Sequence, residues 1–241
     1  IHPSTPDDVM ASSNDNDINI SWDYSQDIDF SYHRVSQLGT PEYTTDNEQT
    51  MLLDAHYNEY YMNSVDIHDN YSDKSDYVGA HDLHPGANLI GVCVLPEDNS
   101  VGNVVSGPLE GIIGEGVAAS NNATIGWVGS LTEISPSNGY WLKASEETTH
   151  LTVGDKYVTE SFELHQGANL ISYCCANDIP LNEIDSDCIN GIIGEGVAAS
   201  WIGDMPIGSL TNLSTGKGYW VKTVEECELA FECTEYEQQL A

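Results

Sequence analysis

Basic residues are almost missing from this sequence. It has 6 Lys and Arg residues against 39 Asp and Glu residues, which gives a formal net charge of −33 at pH 7. Nucleic acid is excluded as a partner, because binding it requires Lys and Arg to displace the counterions of the phosphates. The same charge repels an anionic membrane surface. A salty medium that screens self-repulsion, or cations that neutralise it, suits such a chain better.

Long apolar runs are missing as well. No stretch approaches the roughly 20 apolar residues that a membrane-spanning helix needs. The chain begins at Ile1 without a methionine or a signal sequence, which indicates a mature product or a fragment. The chain still contains 40% apolar residues, with 13 Tyr and 5 Trp, so the composition favours packed β structure over disorder.

Motifs of the common catalytic and metal sites are absent too. There is no C-x-x-C or C-x-x-H spacing, which argues against zinc, haem and thioredoxin-like sites. Neither H-E-x-x-H nor an activated-cysteine motif can be read, and no Ser–His–Asp order is evident. These absences indicate a protein that is not an enzyme.

What the chain does contain is an internal duplication. The ten residues G-I-I-G-E-G-V-A-A-S occur at 111–120 and again at 191–200. L-H-P-G-A-N-L-I at 83–90 corresponds to L-H-Q-G-A-N-L-I at 164–171, and N-G-Y-W-L-K at 138–143 corresponds to K-G-Y-W-V-K at 217–222. The sequence therefore predicts two tandem copies of one small β-rich domain, at 81–158 and 159–241. Three pairs are expected to be buried at matching places: Leu89/Leu170, Ile113/Ile193 and Trp141/Trp220.

The six cysteines can be sorted by this repeat. Cys93 and Cys174 occupy the same position in the two copies, and the sequence leaves their pairing open. Cys175 and Cys188 occur only in the second copy and are expected to bond to each other, while Cys227 and Cys233 are close enough to close a hairpin. Buried free thiols are the alternative. Disulfides would place the protein outside the cytoplasm.

Residues 1–80 have the pattern of a different module. Short segments with strand character recur at roughly ten-residue intervals with polar turns between them, which indicates a β-sandwich. The predicted strands are Val9–Ala11, Ile18–Trp22, Phe30–Val35, Gln49–Leu53, Tyr60–Asp66 and Asp76–Ala80.

The motifs I-N-I-S-W, S-Y-H-R-V and E-Y-Y-M-N-S-V-D-I-H-D-N-Y-S-D-K-S in this module resemble a fibronectin type III domain, an immunoglobulin-like sandwich. In that family a tyrosine anchors the corner before a late strand. Its expected position is occupied by Asn58, so Tyr57 or Tyr60 is expected to take the role. The repeats, with N-L-I early and G-Y-W-V-K late, resemble a small β-rich domain of secreted and surface-layer proteins of bacteria and archaea. This second resemblance implies an extracellular setting and no defined activity.

Several residues could carry chemistry, and each has a simpler structural interpretation. Gly111, Gly114 and Gly116 do not follow the order of a dinucleotide-binding loop, so a structural turn is favoured. Glu115 and Glu195 could form a carboxylate pair for glycosidic chemistry. As equivalent residues of a repeat, each is instead expected to serve its own domain by accepting exposed N–H groups.

Histidines and aromatic residues allow two interpretations as well. His84, His165 and His81 could bind a transition metal, but hydrogen-bonded structural histidines are favoured, because no further ligand follows at a matching spacing. Tyr140-Trp141 and Tyr219-Trp220 could form an aromatic platform for glycans. Strand alternation places one residue of each pair in the core.

Calcium is the candidate cofactor. Oxygen ligands of the kind that hard cations prefer are concentrated at 14–17 and in one acidic loop. The calcium ligands proposed in this loop are Asp66, Asp69, Asn70, Asp73 and Asp76. Their spacing is not that of an EF-hand, and a solvated loop is the alternative. Four N-x-[ST] sequons, at Asn19, Asn70, Asn122 and Asn212, would accept glycans in a glycosylating host.

Two functional hypotheses follow. The first is a non-catalytic extracellular or cell-surface structural protein that self-associates into a filament or surface layer. Its contacts would come from repeat surfaces and from the terminal segments at 1–6 and 233–241, which could add a strand to a neighbouring sheet. The second is an accessory module of a larger secreted enzyme or adhesin, binding a surface glycan or calcium.

Overall fold

The computed structural model describes residues 2–14, 17–23, 25–37, 40–53, 56–184 and 187–233. Almost all of the regular structure in these ranges is β-strand, so the predicted mainly β class is confirmed. Asp15 and Asn16 of the first acidic segment, Ile1 of the leader and residues 234–241 of the tail lie outside the described ranges.

The N-terminal module is a two-sheet sandwich, as predicted. Strands β1, β2 and β5 form one sheet, and β4, β3, β6 and β7 form the other in that order. A division of seven strands into three and four is the architecture of immunoglobulin-like sandwiches. The strands are β1 Met10–Asn14, β2 Asp17–Ser21, β3 Phe30–Gln37, β4 Thr40–Thr44, β5 Glu48–Leu52, β6 Tyr57–Asp66 and β7 Tyr77–Leu83.

The core of the sandwich follows from the alternation that was visible in the sequence. Ile18 and Ile20 of β2 are fully buried against Val35, Tyr60 and Met62 of the opposite sheet. The hydroxyl group of Tyr60 donates a hydrogen bond to the carbonyl oxygen of Leu52 at 3.1 Å, eight residues earlier in the chain. Tyr60 therefore has the role of the corner tyrosine.

Strand β4 was not predicted. It contains Pro41, which lacks a backbone N–H, and its side chains are mostly exposed. Both features weaken the sequence pattern of a strand, and both are tolerated because β4 lies at the edge of its sheet.

Each repeat forms a five-stranded antiparallel unit. The order is β12-β11-β10-β13-β8 in the first copy and β20-β19-β18-β22-β16 in the second. The first copy comprises β8 Gly86–Gly91, β9 Val94–Leu95, helix α1 Val101–Val104, β10 Leu109–Ile113, β11 Ala118–Asn122, β12 Gly126–Gly129 and β13 Gly139–Ala144. The second comprises β15 Ser161–Leu164, β16 Gly167–Tyr173, β17 Ile179–Pro180, a 3-10 turn at Leu181–Glu183, β18 Ile189–Gly194, β19 Val197–Ile202, β20 Met205–Gly208, β21 Asn212–Leu213, β22 Lys217–Thr223 and β23 Cys227–Ala230.

The segment between the copies, β14 (Thr148–Lys156), joins the sandwich. It pairs with β7 over seven residues and with β9 over two, which extends the larger sheet of the sandwich to six strands. The domain boundaries inferred from the repeat remain predictions, and β14 ties the first repeat to the module that precedes it.

Burial is similar at equivalent positions of the two copies, but two of the three expected core pairs are wrong. Leu89 and Leu170 are buried, as expected, whereas Ile113 and Ile193 are 54% and 48% exposed. Ile112 and Ile192 are the buried residues of these strands, because successive side chains point to opposite faces. For the same reason Tyr140 and Tyr219 are in the core, while Trp141 and Trp220 are only partly buried.

All six cysteines form disulfide bonds, but the expected pairing was wrong. The bonds are Cys93–Cys174, Cys175–Cys233 and Cys188–Cys227. The carbonyl oxygen of Cys188 accepts a hydrogen bond from the N–H of Val224, which brings Cys188 to the chain that leads to Cys227. Similarly, the ring of Phe231 packs edge-on against Tyr173 and brings Cys233 to Cys175. These contacts join residues that are distant in the sequence, so the spacing of the cysteines could not predict the pairing.

Candidate functional site

The two repeats contact each other through a reciprocal pair of glutamate–histidine contacts. Glu195 of the second copy contacts His84 Nε2 at 2.5 Å and accepts the Leu89 N–H at 2.8 Å. Glu115 of the first copy makes the same two contacts, to His165 Nε2 at 2.6 Å and to the Leu170 N–H at 2.7 Å.

The two glutamates accept exposed backbone N–H groups, as expected, but those groups belong to the other copy. Each carboxylate caps a donor on an edge of the partner's strand, β8 or β16, that strand pairing leaves free. The expectation that each glutamate serves its own domain was therefore wrong. The contacts are not readable from one copy alone, because they join residues that are 50 or more positions apart in the chain.

Hydrogen bonding raises the pKa of both histidines. His84 Nδ1 is 2.9 Å from the carbonyl oxygen of Pro85, and His165 Nδ1 is 2.9 Å from that of Gln166. These backbone contacts are the largest cause of the raised pKa, and the facing glutamate is the next. Both ring nitrogens of each histidine face acceptors, so the protonated imidazolium satisfies them. Both histidines are hydrogen-bonded, as favoured from the sequence.

The seam between the copies has approximate twofold symmetry. Glu115 contacts His165 across the seam, and the equivalent Glu195 contacts the equivalent His84. Such an exchange of equivalent contacts is the property of an isologous interface. Cys93 bonds to Cys174, its own equivalent in the other copy, so this disulfide lies at the pseudo-twofold axis. Strands β8 and β22 meet at Ile90 and Lys217, and the equivalent contact joins Asn138 to Ile171.

The sandwich docks at this same axis. The ring of Tyr57 packs on the Cys93–Cys174 disulfide and lies so close to Gly216 that a Cβ added there would be 2.2 Å from Tyr57 Cγ. His81 Nε2 lies 3.0 Å from the carbonyl oxygens of both Gly91, in the first copy, and Gly216, in the second. We call this meeting point of the three modules the junction.

Two stacked histidines are buried at the junction. His81 and His150 are each 1% exposed, with ring centroids 6.2 Å apart. Because His81 Nε2 faces two carbonyl oxygens, it carries the proton and leaves Nδ1 as an unpaired acceptor. Neither ring nitrogen of His150 has a hydrogen-bond partner within the described ranges. Burial lowers the pKa of His81 to about 3 and that of His150 to about 4.

A second polar contact lies on the same face of the sandwich sheet. Lys156 Nζ, from β14, is 2.5 Å from Glu59 Oε1, and the Tyr57 hydroxyl is 3.3 Å from the other oxygen of Glu59. The Thr152 hydroxyl beside them is buried without a partner in the described structure. Polar groups thus cross between β6 and β14, the strand that links the repeats.

Each repeat exposes an apolar patch on the outer face of its sheet. Residues that pair across antiparallel strands have their side chains on the same face of the sheet. Gly111 pairs with Ser120, and Ser120 pairs with Val128. Ile113 lies two residues after Gly111 on the same strand, so its side chain is on the same face as that of Val128. The equivalent residues of the second copy are Ile193 and Ile207, and its hairpin adds Ile202 and Met205. All six side chains are between 48% and 66% exposed. Trp141 and Trp220 lie on the same faces, partly exposed.

The predicted calcium ligands do not converge. Asp66 and Asn70 meet, but Asp66 Oδ1 already accepts the N–H groups of His68 and Asn70, and Oδ2 accepts the side-chain amide of Asn70. Asp69, Asp73 and Asp76 are not part of the group of possible ligands that surrounds Asp66.

The residues that do face Asp66 were not predicted. Asp29 and His68 each place a possible ligand atom within 4.8 Å of it. Asp29 lies 37 positions before Asp66 in the sequence, and only the folded chain brings them together. Calcium binding remains a prediction.

The glycine-rich motif is a structural turn, as favoured. It connects β10 to β11 and β18 to β19, with φ of +71° at Gly116 and +69° at Gly196. Within the described ranges, no helix has the length and hydropathy required to cross a membrane. Three disulfide bonds are typical of an oxidising, extracellular compartment, so the protein is extracellular.

Comparisons with known proteins add little. No protein-family model and no curated protein sequence matches the chain. Among solved structures, it is similar to the chitinase ChiA74 from Bacillus thuringiensis, with 14% identity and a TM-score of 0.30 over 64% of this chain and 27% of the chitinase.

Two arrays of fibronectin type III domains are also similar. The central array of RIM-binding protein has 11% identity and a TM-score of 0.28, covering 87% of this chain and 97% of the array. The FN1–FN3 domains of chicken CNTN1 have 10% identity and a TM-score of 0.23, covering 95% and 96%. TM-scores this low support no conclusion about function.

Proposed function

We propose that this protein is a non-catalytic extracellular structural protein that self-associates through the apolar patches of its two repeats. The observation that carries the proposal is the matched exposure of Ile113 with Ile193 and of Val128 with Ile207. Single exposed apolar side chains are ordinary, but a set that recurs on the same sheet face of both copies is typical of an interaction surface.

Charge favours a second copy of the same chain as the occupant. With a net charge of −33, two molecules repel each other over most of their surfaces. Lys143 and Lys222 each pair with a glycine that lies on the patch face, so they add two of the six basic residues of the chain to these faces. Because Lys143 Nζ is already ion-paired with Glu110 Oε2 at 2.7 Å, its charge offsets that of Glu110, and two copies meet less repulsion at the patches than over the acidic remainder of the surface.

Two equivalent patches per chain would produce a polymer. If each patch pairs with a patch of another molecule, every chain has two neighbours, and a contact that does not close into a ring propagates. The resemblance of the repeats to domains of surface-layer proteins supports the same function.

The terminal segments are a less direct route to assembly. Pro3 and Pro6 are buried, and both the N–H and the hydroxyl of Ser4 donate to Asp27 Oδ2. Residues 2–6 thus pack on their own sandwich and would have to leave it before adding a strand to a neighbour. The larger part of the tail, 234–241, lies outside the described ranges.

Sedimentation velocity at several protein concentrations, in dilute buffer and in molar salt, tests the proposal. We expect oligomers that grow with salt, because screening removes the charge repulsion while the apolar contact persists. The double variant Ile113→Asp with Ile193→Asp should stay monomeric. Ile67→Asp is the matched control, since Ile67 is 65% exposed on a loop of the sandwich, and it should associate like the original chain.

A monomer in every condition would overturn the self-association proposal. The accessory function would then be the remaining one, because the partly exposed Trp141 and Trp220 could contact a surface glycan from the same faces. Binding of soluble oligosaccharides to that monomer, measured by calorimetry, would distinguish this outcome.

A further inference from the structure

Asn122 lies at the tip of the hairpin formed by β11 and β12, in the sequon Asn122-Ala123-Thr124. The second copy has no sequon at this place: its hairpin runs through Ile202, Gly203, Asp204 and Met205. We propose that Asn122 is an N-glycosylation site, modified with an oligosaccharide through Nδ2. The inference is independent of self-association.

Among the residues that the structure describes, the side-chain nitrogen of Asn122 has no hydrogen-bond partner. Its Oδ1 accepts the N–H of Thr124 at 2.9 Å and that of Ile125 at 3.2 Å. This local Asx-type turn fixes the carbonyl side of the amide toward the backbone, so the NH₂ group points away from it. Asn122, Ala123 and Thr124 are all exposed, and a bulky solvated group can be attached there without displacing any packed side chain.

The other three sequons are less suitable. The side-chain nitrogen of Asn70 is 2.7 Å from Asp66 Oδ2, in the contact that closes the acidic loop. At Asn212 the sequon hydroxyl, that of Ser214, donates to Asp178 at 3.0 Å. Asn19 is half-buried in β2, the central strand of its sheet, between Ser12 of β1 and Thr50 of β5. An extended strand also separates the asparagine from the sequon hydroxyl by about 6.6 Å along the chain.

The chemistry is a substitution at the anomeric carbon of the sugar. A lipid-linked oligosaccharide phosphate of the secretory pathway is the donor, and a transferase catalyses the step. The bond from Nδ2 to the anomeric carbon forms, the bond from that carbon to the phosphate oxygen breaks, and the amide loses one proton to the transferase. The lipid phosphate leaves, and no oxidant or reductant is needed.

The test is mass spectrometry of the protein secreted by its native host. We expect the intact mass to exceed that of the oxidised chain by at least one oligosaccharide. Digestion at acidic residues should place the added mass on the peptide that contains Asn122. Enzymatic release of the glycan in heavy-oxygen water should convert Asn122 to a labelled aspartate.

Variants separate the sequon from other modifications. Asn122→Gln and Thr124→Ala should each lose the added mass, Thr124→Ser should retain it, and Asn212→Gln should leave it unchanged. An unmodified Asn122 peptide, or an added mass that persists in Asn122→Gln on another site only, would overturn the proposal. Because Asn122, Thr124 and Asn212 are all exposed, all of these variants are expected to fold.

Discussion

At the scale of single residues, Gly216 is a position where both the backbone conformation and the packing exclude a side chain. Its φ is +75°, and a Cβ there would collide with the ring of Tyr57. Left-handed backbone costs a non-glycine residue about 1–2 kcal/mol, and overpacking adds about 1–3 kcal/mol. We therefore expect Gly216→Ala to lower the free energy of unfolding by about 2–5 kcal/mol in chemical denaturation.

Gly203→Ala is the control for this prediction. Gly203 has a similar φ of +61°, but an added Cβ would meet nothing within 4 Å. Gly203→Ala should therefore lower the free energy of unfolding only by the cost of a left-handed backbone at a non-glycine residue. Equal losses in the two variants would mean that Tyr57 does not pack on Gly216, and the junction would have to be redrawn.

At the scale of elements, the capped edges of β8 and β16 should make stability depend on pH. The pKa of His84 and His165 is raised above its ordinary value of 6.5 by folding. This contribution is fully present below pH 6.5 and is lost as pH rises through the raised pKa. We expect unfolding midpoints to fall over that window, and His84→Asn and His165→Asn to flatten the dependence by similar amounts.

The more specific part of this prediction is that the two variants should change the pH dependence of stability by similar amounts. It follows from the pseudo-twofold seam, in which both histidines are exposed and have equivalent partners. A pH dependence that only one variant changes would show that the two contacts are not equivalent. No change in either would show that neither pair survives in solution.

Sequence patterns predicted strands better than they predicted contacts between strands. Ile18 to Trp22 alternates, and the repeat fixes equivalent positions, so the elements of both modules could be located. The partners of Glu115, Cys93 and β14 could not be predicted from the sequence. Each of these contacts depends on how separate sheets pack against each other, and no local sequence pattern indicates that packing. The outward orientation of Ile113 was predictable from alternation with Ile112 once the register of β10 was known.

At the scale of the whole molecule, the junction should be sensitive to acid. His81 and His150 are buried and neutral, with Tyr57 and His56 close by and the Glu59–Lys156 pair further along the same face. Their pKa is lowered by folding, so their contribution is present above pH 6.5 and is lost as pH falls toward 4 and 3. Each histidine then contributes a slope of about 1.4 kcal/mol per pH unit.

His150→Leu isolates this effect from the titration of the carboxylates. Since His150 makes no hydrogen bond in the described structure, the variant should keep its stability at neutral pH. At pH 4 its unfolding free energy should exceed that of the original chain by about 3 kcal/mol. His2→Gln, a change at an exposed histidine, should follow the original chain. Identical acid profiles for all three proteins would place the acid sensitivity elsewhere.

The disulfides also determine how the chain transmits a pulling force. A force entering from the N-terminal side reaches Cys93, crosses the sulfur bridge to Cys174, passes one peptide bond to Cys175 and crosses again to Cys233. The intervening loops, which span 81 and 58 positions, carry none of this tension. While the bonds are oxidised, residues 94–173 and 176–232 cannot be extended, so only the sandwich and the short stretch from it to Cys93, including β8, can lengthen under load.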